Sequence, residues 1–458
     1  MILIYMDLEH LDSLYDMDDS DIVKIFELIS RENYIRSSEE DIFPNFYKDY
    51  LPISLESKIP IDKELYTRYD EIQLSITANI LTSIKYSTGY VDKSELVDNF
   101  HEKLAIFKRW ISNNKRNIYF EDSKKRSILL FLPSERQFRN VRGNWSKWLW
   151  KDTTYKGDIT PTLYGWLNDI LNLVDTFKKL GIRSIVAVDK EAEDILNENY
   201  EGQYITLDVP PNLPKIGYTR DQSVTWFEEP IIGSMAISLR EGEEEVIYKT
   251  YLNLGIEPIY VARWWFKDGY LYRSKMEGGN YIFVDTGDQQ ALFTGVGVRG
   301  SNIYTFRNLD ILLPENIRIF GVPISGYIRR WISGAVHLDV VMMYIGLDIG
   351  LTILDPSRMG IYSILEYDRR SKSFTPLNGF EVFRELNLKI LEPPFEKDSR
   401  ITMVNALNLG DGKLIVDSYN RSTNKYLTSL GLDLIEVDIP HIEAGGGGVR
   451  CATREIWI

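Results

Sequence analysis

The chain has 458 residues, of which 44% are hydrophobic and 26% are charged. This composition is typical of a globular protein with a sizeable core and two or three domains. The net charge of −14 disfavours nucleic-acid binding, which needs a concentrated basic surface. One cysteine and four histidines exclude an intramolecular disulfide and leave few ligands for a metal site. We therefore expect no metal and no cofactor.

Two apolar stretches bear on where the protein acts. The run Ala335–Leu351 contains Asp339 and Asp348, and ionisable groups in mid-bilayer are costly, so we expect no membrane span. Met1–Met6 is apolar but is followed at once by Asp7. This apolar stretch is too short for a signal peptide. The sequence thus predicts a cytoplasmic protein without a membrane partner.

The first 120 residues have the hydrophobic periodicity of helices. Apolar residues recur at helical spacing at Ile22, Ile25, Phe26 and Ile29, and again at Ile72, Ile76, Ile80 and Ile84. Such stripes usually face a core rather than a cofactor. We assign residues 1–120 to an N-terminal, mostly helical region of unknown role.

Short strands and helices alternate in residues 121–458, which we assign to a second domain. The predicted strands are Ser127–Leu132, Ser184–Val188, Lys413–Asp417 and Leu434–Val437, and the predicted helices are Leu163–Leu180 and Asn424–Leu430. Glycines end both helices. The pattern indicates an α/β fold built from small repeated pieces, and the boundary at 120 rests on this change of pattern alone.

The only cysteine follows a run of four glycines, Gly445–Gly448. Glycines allow the backbone to approach a ligand closely and to adopt positive φ. Arg450 directly precedes Cys451, and a neighbouring cation should favour the thiolate. The alternative is a buried cysteine that acts as a small hydrophobic residue.

Three further motifs combine acids with turn residues or a histidine. His337 and Asp339 lie in Ala335–Ile345, which we predict to be a buried strand with both side chains on one face. The other two motifs precede predicted strands: Glu277–Asn280 precedes Tyr281–Val284, and Thr219–Gln222 precedes Val224–Phe227. Alone, each motif could equally be a paired core histidine or a turn with a solvated acid.

Together the motifs resemble the catalytic signature of the pentein superfamily, the relatives of arginine deiminases and amidinotransferases. In chain order they are Thr219–Asp221, Glu277–Gly279, His337–Asp339 and the glycine loop with Arg450 and Cys451, and Asn405–Lys413 resembles the segment upstream of the family's cysteine. The resemblance covers roughly residues 125–458. It implies a five-bladed α/β propeller of ββαβ modules around a central channel, with the N-terminal helical region outside it.

The resemblance also implies roles for five residues. Asp221 and Asp339 would hold the guanidinium group through charge-assisted hydrogen bonds. Glu277 would orient His337, which would act as general acid and base. Cys451 would attack the guanidinium carbon, a poor electrophile that needs a strong nucleophile.

Three arginines are candidates for substrate binding. By the resemblance, Arg240 and Arg299 stand where arginine deiminases bind the substrate's α-carboxylate, and we add Arg450. Arg240 also opens the charge run Arg240–Glu245, which is typical of a solvated face. Arginine deiminases have a further arginine where this chain has Gly446, so agmatine or another guanidine remains an alternative to arginine.

The resulting prediction is a hydrolase that releases ammonia and a ureido product such as citrulline. An amidinotransferase is the first alternative, although transferases of this group tend to have Asp where this chain has Glu277. An arginine dihydrolase is another alternative. A non-catalytic pentein, like the ribosome anti-association factor of that fold, would have no reason to keep all five groups. The sequence leaves a homo-oligomer open.

Overall fold

The structure, a computed structural model, describes residues 13–39, 58–89, 91–114, 118–119, 126–139, 159–211, 213–237, 240–297, 299–324, 336–346, 351–354, 359–393 and 404–458. The predicted domain boundary at residue 120 lies outside the described residues. Within these ranges, no helix combines the length and the apolar character that a membrane crossing requires.

Helices and strands alternate along the described chain in a mixed α/β fold. The helices are α1 (Asp19–Glu39), α2 (Lys63–Arg68), α3 (Glu71–Thr88), α4 (Lys93–Asn114), α5 (Glu135–Arg139), α6 (Leu163–Lys179), α7 (Glu193–Asn199), α8 (Glu243–Asn253), α9 (Ile303–Leu312), α10 (Gly379–Glu385), α11 (Arg421–Ser429) and α12 (Pro440–Ala444). The strands are β1 (Lys58–Pro60), β2 (Ser127–Leu132), β3 (Ser184–Asp189), β4 (Tyr204–Leu207), β5 (Ser223–Val224), β6 (Ile231–Ile232), β7 (Tyr260–Val261), β8 (Trp264–Lys267), β9 (Tyr270–Arg273), β10 (Tyr281–Asp285), β11 (Gln290–Val296), β12 (Arg318–Pro323), β13 (Met342–Gly346), β14 (Leu351–Leu354), β15 (Ile364–Asp368), β16 (Ser373–Leu377), β17 (Lys389–Leu391), β18 (Leu407–Gly410), β19 (Lys413–Asp417), β20 (Asp433–Val437) and β21 (Arg454–Ile456).

One strand arrangement recurs in the sheets that follow the N-terminal helices. An antiparallel pair of strands leads into a helix, and a third strand then returns parallel to the second. β5, β6, α8 and β7 have this order, as do β10, β11, α9 and β12, and β18, β19, α11 and β20. β13, β14, α10 and β17 follow it with the hairpin β15–β16 inserted. The last strand, β21, pairs antiparallel with β2, which runs parallel to β3 after α6, so the two ends of this region complete one module.

The predicted strands Ser127–Leu132 and Lys413–Asp417 are confirmed as β2 and β19. The predicted strand Val224–Phe227 is wrong beyond Val224, because β6 offers only two residues for pairing. Trp226 and Phe227 instead pack into a hydrophobic cluster shared with the N-terminal helices.

The N-terminal helices pack against the strands instead of standing apart from them. Of the predicted apolar stripe on α3, Ile76, Ile80 and Ile84 are buried, in a cluster that also contains residues of β7, β8 and α9. Asn79 is the polar centre of this contact, since its side chain donates to the carbonyl of Trp264 (3.0 Å) and accepts from the amide of Trp264 (2.7 Å). The hydrogen bonds fix how α3 is placed on β8.

Candidate active site

The five predicted catalytic residues, and also Asn405, come from segments that lie just before the first strand of a module. These segments are Asp221 before β5, Glu277 before β10, His337 and Asp339 before β13, Asn405 before β18, and Cys451 before β21. Equivalent positions in repeated modules explain how residues far apart in sequence form one cluster. All six are at most 5% exposed.

His337 lies between two carboxylates. Its Nε2 is 2.5 Å from Oε2 of Glu277 and its Nδ1 is 3.3 Å from Oδ1 of Asp221. The other oxygen of Glu277 accepts a hydrogen bond from the amide of Ala236 at 2.9 Å, which fixes the carboxylate. A β-carbon at Gly279 would stand 2.8 Å from Nδ1 of His337, so the second glycine of this motif leaves room for the imidazole.

The Cys451 thiol lies beside Asp339. The two are 3.9 Å apart, from Sγ to Oδ2, and the same Oδ2 accepts from Nη1 of Arg450 at 2.6 Å. Asn405 holds the backbone here, because its Oδ1 accepts from the amide of Cys451 (2.9 Å) and its Nδ2 donates to the carbonyl of Asp339 (3.2 Å). In the glycine loop, a β-carbon at Gly447 would overlap the ring of Tyr218.

Two buried carboxylate oxygens of the cluster lack a hydrogen-bond partner among the described residues, Oδ1 of Asp221 and Oδ1 of Asp339. In both residues the other oxygen, Oδ2, is held by an arginine: Arg240 lies 2.6 Å from Asp221, and Arg450 lies 2.6 Å from Asp339. A buried acceptor without a donor is destabilising by about 1–3 kcal/mol. Such groups are rare in folded proteins and often mark a site that receives a ligand.

Arg240 and Arg299 are also buried at the cluster. Arg240 bridges Asp221 and Glu243, with 2.6 Å to each. Arg299 donates to Oε2 of Glu277 at 3.0 Å. The expectation of a solvated charge run is wrong for Arg240 and Glu243, which are 2% and 0% exposed, because each is the other's buried partner.

The electrostatics of the cluster follow from burial and from these pairs. Burial, and then the charges of Asp339 and Asp221, raise the pKa of the Cys451 thiol well above its ordinary value. Burial also raises the pKa of Glu277, but Arg299 and His337 outweigh it, so that the pKa falls below its usual range. The empty site therefore combines an ionised Glu277 with a protonated thiol.

No group of three or more His, Cys, Asp or Glu residues in the described part of the chain is arranged to hold a metal ion. The chemistry that the described residues supply is a thiol, an imidazole between two carboxylates, and acceptors for a cation.

Comparison with known sequences finds similarity to guanidino-modifying enzymes, in part of the chain. The arginine deiminase family model matches residues 395–457, which include Asn405 and Cys451. The uncharacterized protein YkgA of Bacillus subtilis is 26% identical over 255 residues, 56% of this chain and 74% of that protein. The mitochondrial glycine amidinotransferase of Gallus gallus is 25% identical over 130 residues, and the match covers 26% of each chain. The chain thus spans about a quarter of the length of that transferase.

The chain is thus similar to the pentein superfamily of guanidino-group modifying enzymes. Two solved structures are also similar to it. ArgZ, an arginine dihydrolase from cyanobacteria, has a TM-score of 0.47 and 15% identity, over 72% of this chain and 40% of that one. DDAH from Pseudomonas aeruginosa has a TM-score of 0.45 and 14% identity, over 72% of this chain and 98% of that one.

Two predictions about the site need correction. His337 and Asp339 do not share a strand face, because His337 precedes the 3₁₀ turn Leu338–Val340 and β13 begins only at Met342. Arg450 does not chiefly activate the thiol, because it is paired with Asp339. It lowers the pKa of Cys451 by less than burial and the two aspartates raise it.

Sequence reasoning missed three residues that hold the glycine loop. Besides Asn405, Tyr218 donates its hydroxyl to the carbonyl of Ile442 at 2.7 Å, and Lys215 donates to the carbonyl of Gly445 at 2.5 Å. Asn405 could have been found, because its segment was already seen to resemble the family. Tyr218 and Lys215 carry no local signal, since their partners lie more than 200 residues away.

Proposed function

We propose that this protein is a hydrolase of a guanidino compound that works through a covalent bond to Cys451 and releases ammonia and a ureido product such as citrulline. The observation that carries the proposal is the pair of buried, unpartnered oxygens on Asp221 and Asp339. A guanidinium group is planar and donates several charge-assisted hydrogen bonds to carboxylates. It would supply donors for both oxygens and offset the two negative charges.

In the first half of the reaction, the bound cation would offset the charges of Asp339 and Asp221, which raise the pKa of the thiol. The Cys451 thiol would then release its proton to solvent, and the thiolate would attack the guanidinium carbon, so that an S–C bond forms. His337 would give a proton to the departing nitrogen as its C–N bond breaks. Ammonia leaves, and a thiouronium adduct stays on Cys451.

In the second half, His337 would take a proton from water while the water oxygen attacks the same carbon. The C–S bond breaks, and the sulfur leaves as a thiolate with the ureido product free. Glu277, 2.5 Å from Nε2 of His337, would orient the ring and balance its positive charge. Each acid–base step of this kind contributes about 10²–10⁴-fold.

The substrate's remaining groups would meet the arginines. We propose that Arg240 and Arg299 receive a substrate carboxylate and that Arg450 positions Asp339 for the guanidinium group. All three arginines already pair with acids of the cluster, so a substrate carboxylate would have to compete for them. Agmatine lacks that carboxylate, so it remains a candidate substrate and is included in the experiment below.

The proposal includes an architecture and a location. We propose that the five modules close into a ring around the site and that residues 1–120 form a mostly helical region that packs on the outside of this ring. We also propose that the reaction takes place in the cytoplasm, because a nucleophilic thiol must stay reduced.

An amidinotransferase is the second candidate, favoured by the 130 residues of similarity to glycine amidinotransferase. It would form the same adduct but pass the amidino group to an amine. The distinction lies in the acceptor that reaches the adduct, which the five shared residues do not decide.

The test is incubation of the full chain with arginine, agmatine or a methylated arginine, with and without glycine, followed by mass spectrometry of the products. A ureido product that is indifferent to glycine supports the hydrolase. A new guanidino acid that forms only with glycine would show a transferase, and ornithine without citrulline would show a dihydrolase. No turnover of any guanidine would contradict the proposal.

A further inference from the structure

A second cavity, of about 250 Å³, adjoins the catalytic cluster. Its lining includes Arg220, Gly278 and Arg450. These residues are the sequence neighbours of Asp221, Glu277 and Cys451, none of which lines it. The cavity is therefore distinct from the cluster but built on the same segments.

The cavity contains a buried cation without an acid of its own. Arg454 lines it and is 4% exposed. Nη2 of Arg454 donates to the carbonyl of Arg220, whereas Nε has no partner among the described residues. The neighbouring carboxylate, Glu455, is already taken, because both of its oxygens accept from Arg220 at 2.6 and 2.9 Å. Burial, and then the charge of Arg220, lower the pKa of Arg454 to about 9.

Of the three arginines that line the cavity, Arg454 is the one without an ion pair in the described chain. Arg220 pairs with Glu455, and Arg450 pairs with Asp339. Asp285, at the partly exposed end of β10, accepts from the amide of Gly287 and from Gln290, both at 2.8 Å. An anion beside Arg454 would give this buried cation a hydrogen-bonded partner of its own.

Aromatic rings form part of the walls. Trp226, Tyr281, Phe283 and Trp457 line the cavity together with polar side chains such as Asn408. The indole of Trp457 already donates to the carbonyl of Thr225 at 2.7 Å, and the hydroxyl of Tyr281 lies 3.1 Å from that of Ser301. With these polar atoms engaged, the two rings offer their apolar faces. Ring faces in the same cavity as Arg454 suit an organic carboxylate with an apolar body.

We propose that this cavity binds a small organic monocarboxylate, with its carboxylate on Arg454 and its apolar body against the aromatic walls. The site does not depend on the reaction at Cys451, and a catalytically inactive chain should retain it.

Calorimetric titration of the full chain with benzoate tests the site, with benzamide as the neutral molecule of the same shape. Benzoate should bind at least about tenfold more tightly than benzamide, because a charged hydrogen-bond partner contributes about 1.5–3 kcal/mol. Acetate and inorganic phosphate should both bind more weakly than benzoate. Equal affinity for benzamide, or tighter binding of phosphate, would overturn the proposal.

Two variants distinguish this cavity from the catalytic cluster. Arg454→Met should weaken benzoate binding at least about tenfold. It should also fold, because it removes an uncompensated buried charge. Thr225→Phe keeps the arginine and fills the cavity, and it should weaken binding as well.

Arg318→Met is the matched control, since Arg318 pairs with Glu366 and Glu385 away from the cavity and its loss should leave binding unchanged. Binding that survives Thr225→Phe would overturn the site even if Arg454→Met did not fold. Binding lost in Cys451→Ala would place the ligand in the catalytic cluster and also refute the proposal.

Discussion

Two arrangements of buried arginine and carboxylate lie side by side in this protein. Glu455 is held by Arg220 through both oxygens, at 2.6 and 2.9 Å. Asp221 and Asp339 are held by arginines through Oδ2 only. Oδ1 of each accepts no hydrogen bond in the described chain, although Oδ1 of Asp221 lies 3.3 Å from Nδ1 of His337. We call the first the closed pair and the other two the open pairs.

The two kinds of pair differ in how many carboxylate oxygens remain without a hydrogen bond. In the bidentate closed pair both carboxylate oxygens have a donor, and we expect this pair to serve structure. An open pair balances the aspartate's charge but keeps a lone acceptor in a dry site, where a second guanidinium group would bind strongly. A buried ion pair therefore does not by itself mark a functional site, whereas two aspartates of one cluster that each keep an oxygen without a hydrogen bond point to a bound ligand.

The largest expected effect is on the thiol beside the open pairs. Cys451→Ala should lower turnover by about four orders of magnitude or more, because the nucleophile of the covalent step is lost. The melting temperature should stay close to that of the wild type, since only a small buried side chain changes. Steady-state kinetics and thermal unfolding measure the two effects.

His337→Ala is the companion variant. This variant should also lose turnover, but its aspartates should still bind the substrate. A guanidino ligand should therefore still raise the melting temperature of the variant. A Cys451→Ala protein that still turns over substrate would refute the covalent mechanism.

Loss of the closed pair should lower the stability of the fold and should not act on the reaction directly. Burial raises the pKa of Glu455, but Arg220 outweighs it and lowers the pKa to about 2. Because the pKa is lower in the folded than in the unfolded chain, the ionised carboxylate stabilises the fold by about 3 kcal/mol above the unfolded pKa of about 4.3. This contribution is lost as the pH falls through about 2. Glu455→Gln should therefore lower the free energy of unfolding at pH 7 by about 3 kcal/mol.

Urea unfolding at pH 7 and at pH 3 measures this effect. The difference between wild type and Glu455→Gln should shrink at pH 3, because the wild type is then losing the same contribution. A difference that does not depend on pH would mean that Glu455 does not act through its charge.

The residues of the site could be predicted from the sequence, but the contacts between them could not. Turn residues followed by apolar and β-branched residues reveal strands locally, so the strand after Glu277 and the strand Lys413–Asp417 could be predicted. The choice of partners could not, because Arg450 is a sequence neighbour of Cys451 and only the three-dimensional arrangement pairs it with Asp339. The length of β5 was predicted wrongly for a similar reason, since it is set by β6.

The open pairs should govern ligand binding. In the wild type, a guanidino ligand at a hundredfold excess over its Kd should stabilise the fold by about 2.7 kcal/mol. Asp339→Asn should abolish most of this effect, because a neutral amide offers a weaker acceptor and brings its own donors. Thermal unfolding with and without arginine or agmatine measures it.

Glu455→Gln is the matched control for that experiment. It also replaces a buried, arginine-paired carboxylate by an amide, but in the closed pair, so its ligand-induced shift should remain. Equal loss of the shift in both variants would contradict the distinction between the open and closed pairs.

The smallest expected effect is on the reactivity of the thiol in the empty site. Iodoacetamide reacts with thiolates, and the chain has one cysteine, so alkylation reports Cys451 alone. Burial and the charges of Asp339 and Asp221 raise the pKa of the thiol, so the wild-type rate should be low at pH 8 and still rise with pH well above that value.

Asp339→Asn removes one of these charges and releases Arg450 from its pair, and both changes lower the pKa of the thiol. Because each unit of pKa changes the thiolate fraction tenfold, alkylation at pH 8 should be about tenfold faster, whereas Glu455→Gln should leave the rate unchanged. Equal rates in wild type and Asp339→Asn would show that the open pair does not control the thiol, and the role proposed for the substrate cation in activating Cys451 would fall with it.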